Sequence, residues 1–220
     1  YEVTSSLVGS EMCIRDRLHI VTALFFGAAV LLGGCGTAAT ESVETTKTVT
    51  PNTTVIDKAE PTAELQEATK LLQTNDYAGT IAKADEILKK YPQSDAAYSL
   101  KGMAMGLNGN PADGLVLTKK AYELNPNNVS NYYNMAMLYK LQGQLTDAKF
   151  WFERVLTKDS KNTWSVYGIA TIYADQGQDA KALQYLRQAV ALDSAVKEAA
   201  RTQDHFERFH GNSEFEAIVK

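Results

Sequence analysis

Cysteine is scarce: the 220-residue chain has two, Cys13 and Cys35, both near the N-terminus. A pair so placed builds neither a disulfide framework nor a structural zinc site, so the fold has to be held by apolar packing. An excess of positive charge is missing too. With 22 Lys and Arg against 26 Asp and Glu the net charge is −4. That leaves no basic footprint of the kind nucleic-acid binding relies on, and nucleic acid is not among the expected partners. Also absent are a phosphate-cradling Gly-rich loop, a zinc-protease helix motif, a calcium loop and a nucleophile elbow. Carboxylates are many, but none forms an isolated pair set in apolar sequence, the pattern of a general acid/base couple. No enzyme activity, cofactor or metal site is therefore expected. What is plentiful is apolar side chain, 45% of the chain. That is enough to bury a sizeable core and to exclude wholesale disorder over one or two domains.

Residues 18–34, LHIVTALFFGAAVLLGG, carry no charge and run straight into Cys35. A short apolar run closed by small residues reads as the core of a secretory signal. As an uncleaved anchor it would sit at the lower limit, about 17 residues, of what spans a bilayer. The closing residues Leu32, Gly33, Gly34 and Cys35 resemble the lipobox of bacterial lipoproteins. That resemblance implies cleavage before Cys35, lipidation of its thiol, and a membrane anchor stable enough to hold the protein because several acyl chains insert together. Gly36 stands where the family carries Asp for retention at the inner membrane, which implies the outer membrane, facing the periplasm. Residues 35–60 are rich in Thr and poor in large apolar groups, as expected of a flexible tether. Ahead of the signal, residues 1–17 contain EMCIRDR, which resembles the translation of a transposon-end sequencing adaptor; they are expected not to belong to the fold. The Asn-x-Ser/Thr matches at Asn52 and Asn128 are read as chance.

From residue 61 onwards the chain repeats itself. Units 61–94, 95–128, 129–162 and 163–196 follow one another without insertion, at a period of 34. The eighth place holds Ala68, Gly102, Ala136 and Ala170, and the twentieth holds Thr80, Gly114, Ala148 and Ala182. Small residues recur where two helices approach closely. Leu71, Met105, Tyr139 and Tyr173 share the eleventh place, Asn75, Gly109, Gly143 and Gly177 mark a turn, and Pro92, Pro126, Ser160 and Ser194 close each unit. These residues resemble the tetratricopeptide repeat. The resemblance implies an all-α fold, a right-handed superhelical array of four helix-turn-helix repeats, with residues 197–220 as a capping helix and tail. Helical spacing points the same way: at about 100° per residue Tyr132, Met135, Ala136 and Tyr139 share one arc, and Ala148, Phe152, Val155 and Leu156 supply the opposing stripe. Neither helix buries its stripe alone, so neighbouring units have to stack.

A second stripe on the first helices carries the functional expectation. Tyr133, Asn134, Met137 and Leu141 lie opposite the packing arc of the third unit; the equivalent places hold Leu100, Met103 and Leu107 in the second, then Trp164 and Tyr167 in the fourth. A row of large apolar groups on a free surface marks an interface. In the family the resemblance names, this surface is a concave groove that takes peptides or helices. Of its clamp for acidic peptide C-termini only Asn134 is matched, with Ser99, Met103, Trp164 and Gly168 in the other places, so an apolar or mixed segment is the expected ligand. The anchor and the repeats together resemble the small repeat lipoproteins of bacterial envelopes, and the resemblance implies a membrane-tethered scaffold that binds a protein or peptide partner, in the assembly of the envelope, of pili or of outer-membrane proteins. A homodimer, with a second copy in the groove, and an accessory or enzyme acting on the cell wall are the alternatives. Phe206 and Phe209 are expected on a capping helix, Ser213–Glu216 matches a capping box before Phe215 and Ile218, and His205 and His210 are read as surface or packing residues because five-residue spacing suits no shared metal.

Overall fold

A computed structural model describes residues 61–220. The signal at 18–34, the lipidation site Cys35, the tether at 35–60, Asn52 and the leading residues 1–17 lie outside the described residues.

Each 34-residue unit folds as two helices joined by a tight turn. The pairs are α1 (Thr62–Gln73) with α2 (Tyr77–Lys90), α3 (Asp95–Leu107) with α4 (Pro111–Leu124), α5 (Val129–Leu141) with α6 (Leu145–Lys158), and α7 (Thr163–Asp175) with α8 (Asp179–Leu192). The helices stop and start where local chemistry directs. Ser94, Asn128 and Asn162 cap α3, α5 and α7, and Asp76 and Asn110 cap α2 and α4, each side chain accepting from a free first-turn N–H. Asn128 is thus a helix cap. The turn inside each unit needs a left-handed residue, supplied by Asn75 at φ 62°, Gly109 at 94°, Gly143 at 73° and Gly177 at 70°.

Small residues at the eighth and twentieth places give the helices steric clearance. A Cβ on Gly102 would lie 2.5 Å from the Gly114 carbonyl oxygen, and one on Gly114 would lie 2.3 Å from the carbonyl oxygen of Gly102. The two backbones of the second unit are in direct contact. Gly106 gives the same clearance to the next unit, where a Cβ would strike Leu138. Tyr132, Met135 and Ala136 are buried on one helix face, with Ala148, Phe152 and Val155 on the other; Tyr139 and Leu156 close the edges half-buried. Both stripes belong to one continuous cluster running through all the units.

Polar contacts fix the stacking register. Asp95, at the start of α3, accepts from Asn128 Nδ2 at 2.7 Å, from Asn131 Nδ2 at 3.1 Å and from Asn125 Nδ2 at 3.4 Å. All three donors come from the end of the second unit or the start of the third. Asp95→Ala strips Asn131, which is fully buried, of its main acceptor. The expected loss is about 1 to 3 kcal/mol, measured by urea unfolding, and Asp113→Ala on the exposed start of α4 serves as the control with little change.

The C-terminal cap is built from three short helices rather than one. They are α9 (Val196–Thr202), a 3-10 helix (Asp204–Phe209) and α10 (Ser213–Val219). The period runs on through them. Gly211 is left-handed at φ 84° and stands 34 residues after Gly177, and Asn212 caps α10 where Asn110, Gln144 and Gln178 precede the second helices of earlier units. The cap is therefore a shortened fifth unit. Its first helix breaks at Gln203, which is extended at φ −99° and ψ 139°, and the next residue, Asp204, occupies the small-residue place. A carboxylate has no room in a contact of that kind, and the chain leaves the α-helix before reaching it. The capping box falls one residue earlier than the sequence suggests. Asn212, not Ser213, accepts from the N–H groups of Glu214 and Phe215, while Glu216 accepts from the N–H of Gly211.

Candidate functional site: the inner face

The first helices α3, α5 and α7 form the inner layer, and the sequence places a docking row on them. The structure puts most of that row inside the monomer. Leu100, Met103, Leu107 and Met137 are buried, Met137 with 3% of its surface exposed, and Tyr167 retains 1%. Tyr133, Asn134, Leu141 and Trp164 are half-buried. An open apolar groove lined by all nine residues is therefore corrected to a mostly closed seam with four partly exposed positions.

Two contacts close the seam. The first helices α3 and α5 lie on one another: Asn134 Nδ2 donates to Ser99 Oγ at 2.9 Å, so the one residue that matched the peptide clamp is engaged within the array. The Tyr133 ring meets the Phe152 ring edge-on at 5.6 Å, and burial pushes its phenol pKa well above the usual value. The second contact is the fifth unit, which covers α7. Tyr167 donates its hydroxyl to Gln203 Oε1 at 2.7 Å, and its ring lies 5.9 Å from Phe206 and 5.8 Å from Trp164. Desolvation there raises the Tyr167 phenol pKa as well. Phe206, Phe209 and Phe215 pack against one another inside the cap at centroid spacings of 5.6 to 6.1 Å.

Where the cap meets the third unit, a cavity of about 270 Å³ opens, lined by Met137, Lys140, Leu141, Gly143, Leu145, Asp175 and His205. Its walls combine apolar side chains with one charged chain of contacts. His205 Nδ1 lies 2.6 Å from Asp175 Oδ1, and Lys140 Nζ lies 3.0 Å from His205 Nε2. An ammonium only donates, so Nε2 carries the lone pair and Nδ1 carries the proton given to Asp175. His205 is neutral in this arrangement. Burial and the neighbouring Lys140 charge lower its pKa below the ordinary imidazole value, outweighing Asp175. His210, by contrast, is exposed and lies 5.5 Å from the Phe215 ring. The role of His205 lay outside the sequence reading, which treated both histidines alike. Its signal was the repeat register, because His205 falls two periods after Met137.

The remaining surface is ordinary. Val116 at 65% exposure and Phe150 at 50% are large apolar groups open on the outer helices α4 and α6, and Arg154 lies over the Trp151 and Tyr132 rings. Among the described residues no three His, Cys, Asp or Glu side chains gather to hold a metal, and no helix is long and apolar enough to cross a membrane.

Known proteins share the architecture. Residues 117–150 and 165–196 each match the tetratricopeptide repeat. No curated protein matches the chain by sequence. Among solved structures, TTC0263, a thermophilic TPR protein of Thermus thermophilus, is 18% identical over 71% of this chain and 87% of its own, with a TM-score of 0.61. The pilF protein of Pseudomonas aeruginosa is 15% identical over 74% of each chain, TM-score 0.59. MamA of Desulfovibrio magneticus RS-1, from residue 41 to its end, is 14% identical over 73% of this chain and 94% of its own, TM-score 0.53. Together with the geometry, these matches show a right-handed superhelical array of tetratricopeptide repeats closed by a C-terminal cap.

Proposed function

We propose that the protein is a lipid-anchored adaptor, held by Cys35 at the outer membrane and facing the periplasm, that binds a polypeptide partner along the inner face and performs no chemistry of its own. The observation that carries the binding role is the half-buried Leu141 on the wall of the cavity it shares with Met137 and Leu145, with Tyr133 and Trp164 half-buried on the same row of first-helix positions. Partly exposed aromatic and aliphatic groups around a concavity give a partner's apolar side chains somewhere to lose water, and Trp and Tyr are frequent anchors of such contacts. The anchor rests on the lipobox resemblance of residues 32–35 and the tether that follows it. A place in the assembly of the envelope, of pili or of outer-membrane proteins is part of the same proposal and rests on the likeness of anchor and repeats together to the small repeat lipoproteins of bacterial envelopes.

A photo-crosslinking side chain at Trp164 tests this in native envelopes. The expected result is a crosslinked polypeptide at Trp164 that disappears with Leu141→Asp and never forms from Val116 on the outer helix α4. An adduct of twice the protein's own mass would assign the face to a second copy. Equal crosslinking from Trp164 and Val116 would remove the inner face as the docking site.

A further inference from the structure

We propose that Lys140, His205 and Asp175 form an acid-sensitive latch that holds the fifth unit over the inner face, so that mild acid weakens its docking and raises the share of an open form in which the apolar row beneath it is bared. The three residues come from three separate elements, α5, the 3-10 helix and α7. Their contacts tie the cap to both the third and the fourth units. The central group is the one side chain whose ordinary titration lies in the physiological range.

The latch works only with a neutral ring. Protonation of Nε2 turns its acceptor into a donor facing the Lys140 ammonium, and the contact becomes a repulsion between two cations. The charged groups that face His205 are Lys140 from α5, Asp175 from α7 and Asp204 beside it on its own element. The two carboxylates favour the imidazolium, but burial and Lys140 dominate and the docked ring resists protonation. Once undocked, the ring regains its ordinary value of 6.5. Between that value and the lower docked value the undocked form binds more protons, so falling pH favours it. Well above that ordinary value neither form is protonated and the latch is fully closed.

Other contacts also hold the cap. Arg208 donates to the Ala174 carbonyl oxygen at 2.7 Å and pairs with Asp179 at 2.6 Å, and Tyr167 holds Gln203. Undocking would uncover Tyr167 and the cavity wall at Met137, both on the proposed docking row. The regulatory consequence rests on the inner face being the docking face; the latch itself does not, and its test involves no partner.

Hydrogen exchange of the full chain across roughly pH 7.5 to 5.5, corrected for the intrinsic exchange rate, reads the latch directly. Protection in residues 196–210 is expected to fall by about tenfold for each pH unit below about 6.5 until the docked ring itself titrates, with α1 and α2 unchanged. His205→Gln keeps one donor and one acceptor without titrating, so its cap protection should be flat over the same range. NMR titration of the wild-type His205 ring gives a second, independent measurement, with a pKa below the ordinary imidazole value of 6.5 expected. Constant protection in the wild type, equal pH dependence in His205→Gln, or a His205 pKa at or above the ordinary 6.5 would each overturn the proposal. Failure of the Trp164 crosslink would leave these results untouched and would count against the docking face alone.

Discussion

Phe152→Ala is expected to destabilise the domain by about 3 to 5 kcal/mol, and to do so unevenly along the array. Phe152 is fully buried on α6. Its ring faces Tyr133 on one side, and on the other it lies so close to Gly168 of α7 that a Cβ there would sit 2.6 Å from the ring carbon Cζ. The third and fourth units are thus joined through one aromatic ring packed on bare backbone, and no neighbour can move in to fill the space an alanine leaves. Stability in a repeat array is a sum over units and their shared faces, so the loss falls on the joint between residues 129–162 and 163–196. Hydrogen exchange should show residues 163–220 opening while 61–128 stay protected, and calorimetry should show the single transition broadening or splitting. At about 2 to 4 °C per kcal/mol for a domain of this size, the main transition should fall by roughly 6 to 20 °C. Phe150→Ala, two residues earlier and half exposed, should change stability by less than about 0.5 kcal/mol. Equal effects from the two variants would mean that the units do not meet through Phe152.

The contrast between Phe152 and Phe150 was legible before any coordinates. A period of 34 fixes which face of each second helix turns inward, and small residues at the eighth and twentieth places can be placed there for no reason other than close approach. Gly102 and Gly114 make the case, since each blocks a side chain on the other. The first helices were harder to read. A helical wheel separates two faces of one helix, but it does not say whether the second face meets solvent or the next first helix. Met103 and Met137 occupy the same place in successive units, and both are buried, Met137 on the wall of the cavity it shares with His205 of the cap; Asn134, polar and unpartnered on the wheel, is bonded to Ser99 of the neighbouring unit. The cap was obscured for a different reason. Its first helix breaks at Gln203 and runs on as a 3-10 helix, so the helical spacing that carries the signal elsewhere is lost after residue 202. Gly211 was the surviving marker of the register, and with it in place His205 aligns with Met137 on the inner face.

Tyr167→Ala should also cost about 3 to 5 kcal/mol, whereas Trp164→Ala, three residues earlier on the same helix, should cost about 1 kcal/mol. The sequence alone groups these two aromatics in one docking row. Their surroundings separate them. Tyr167 is sealed between Trp164 and Phe206, and its hydroxyl is the hydrogen-bond donor to Gln203, a buried amide whose Nε2 has no partner among the described residues. Removing the ring opens a void under the cap and leaves both ends of the Gln203 amide unpaired. Cap protection should then be lost at every pH, with the first and second units unaffected. Tyr167→Phe, which keeps the ring and deletes only the donor, should cost about 0.5 to 1.5 kcal/mol; urea unfolding of the three variants separates the ring's contribution from the hydrogen bond's. Trp164 is half-buried at the rim, so its replacement should weaken partner capture far more than stability. A Tyr167→Ala variant that kept full cap protection and lost less than about 1 kcal/mol would show that the fifth unit is not held down through Tyr167. The cap would then rest on the His205 latch and on the contacts of Arg208 with Ala174 and Asp179, and the pH dependence of its exchange should survive the substitution intact.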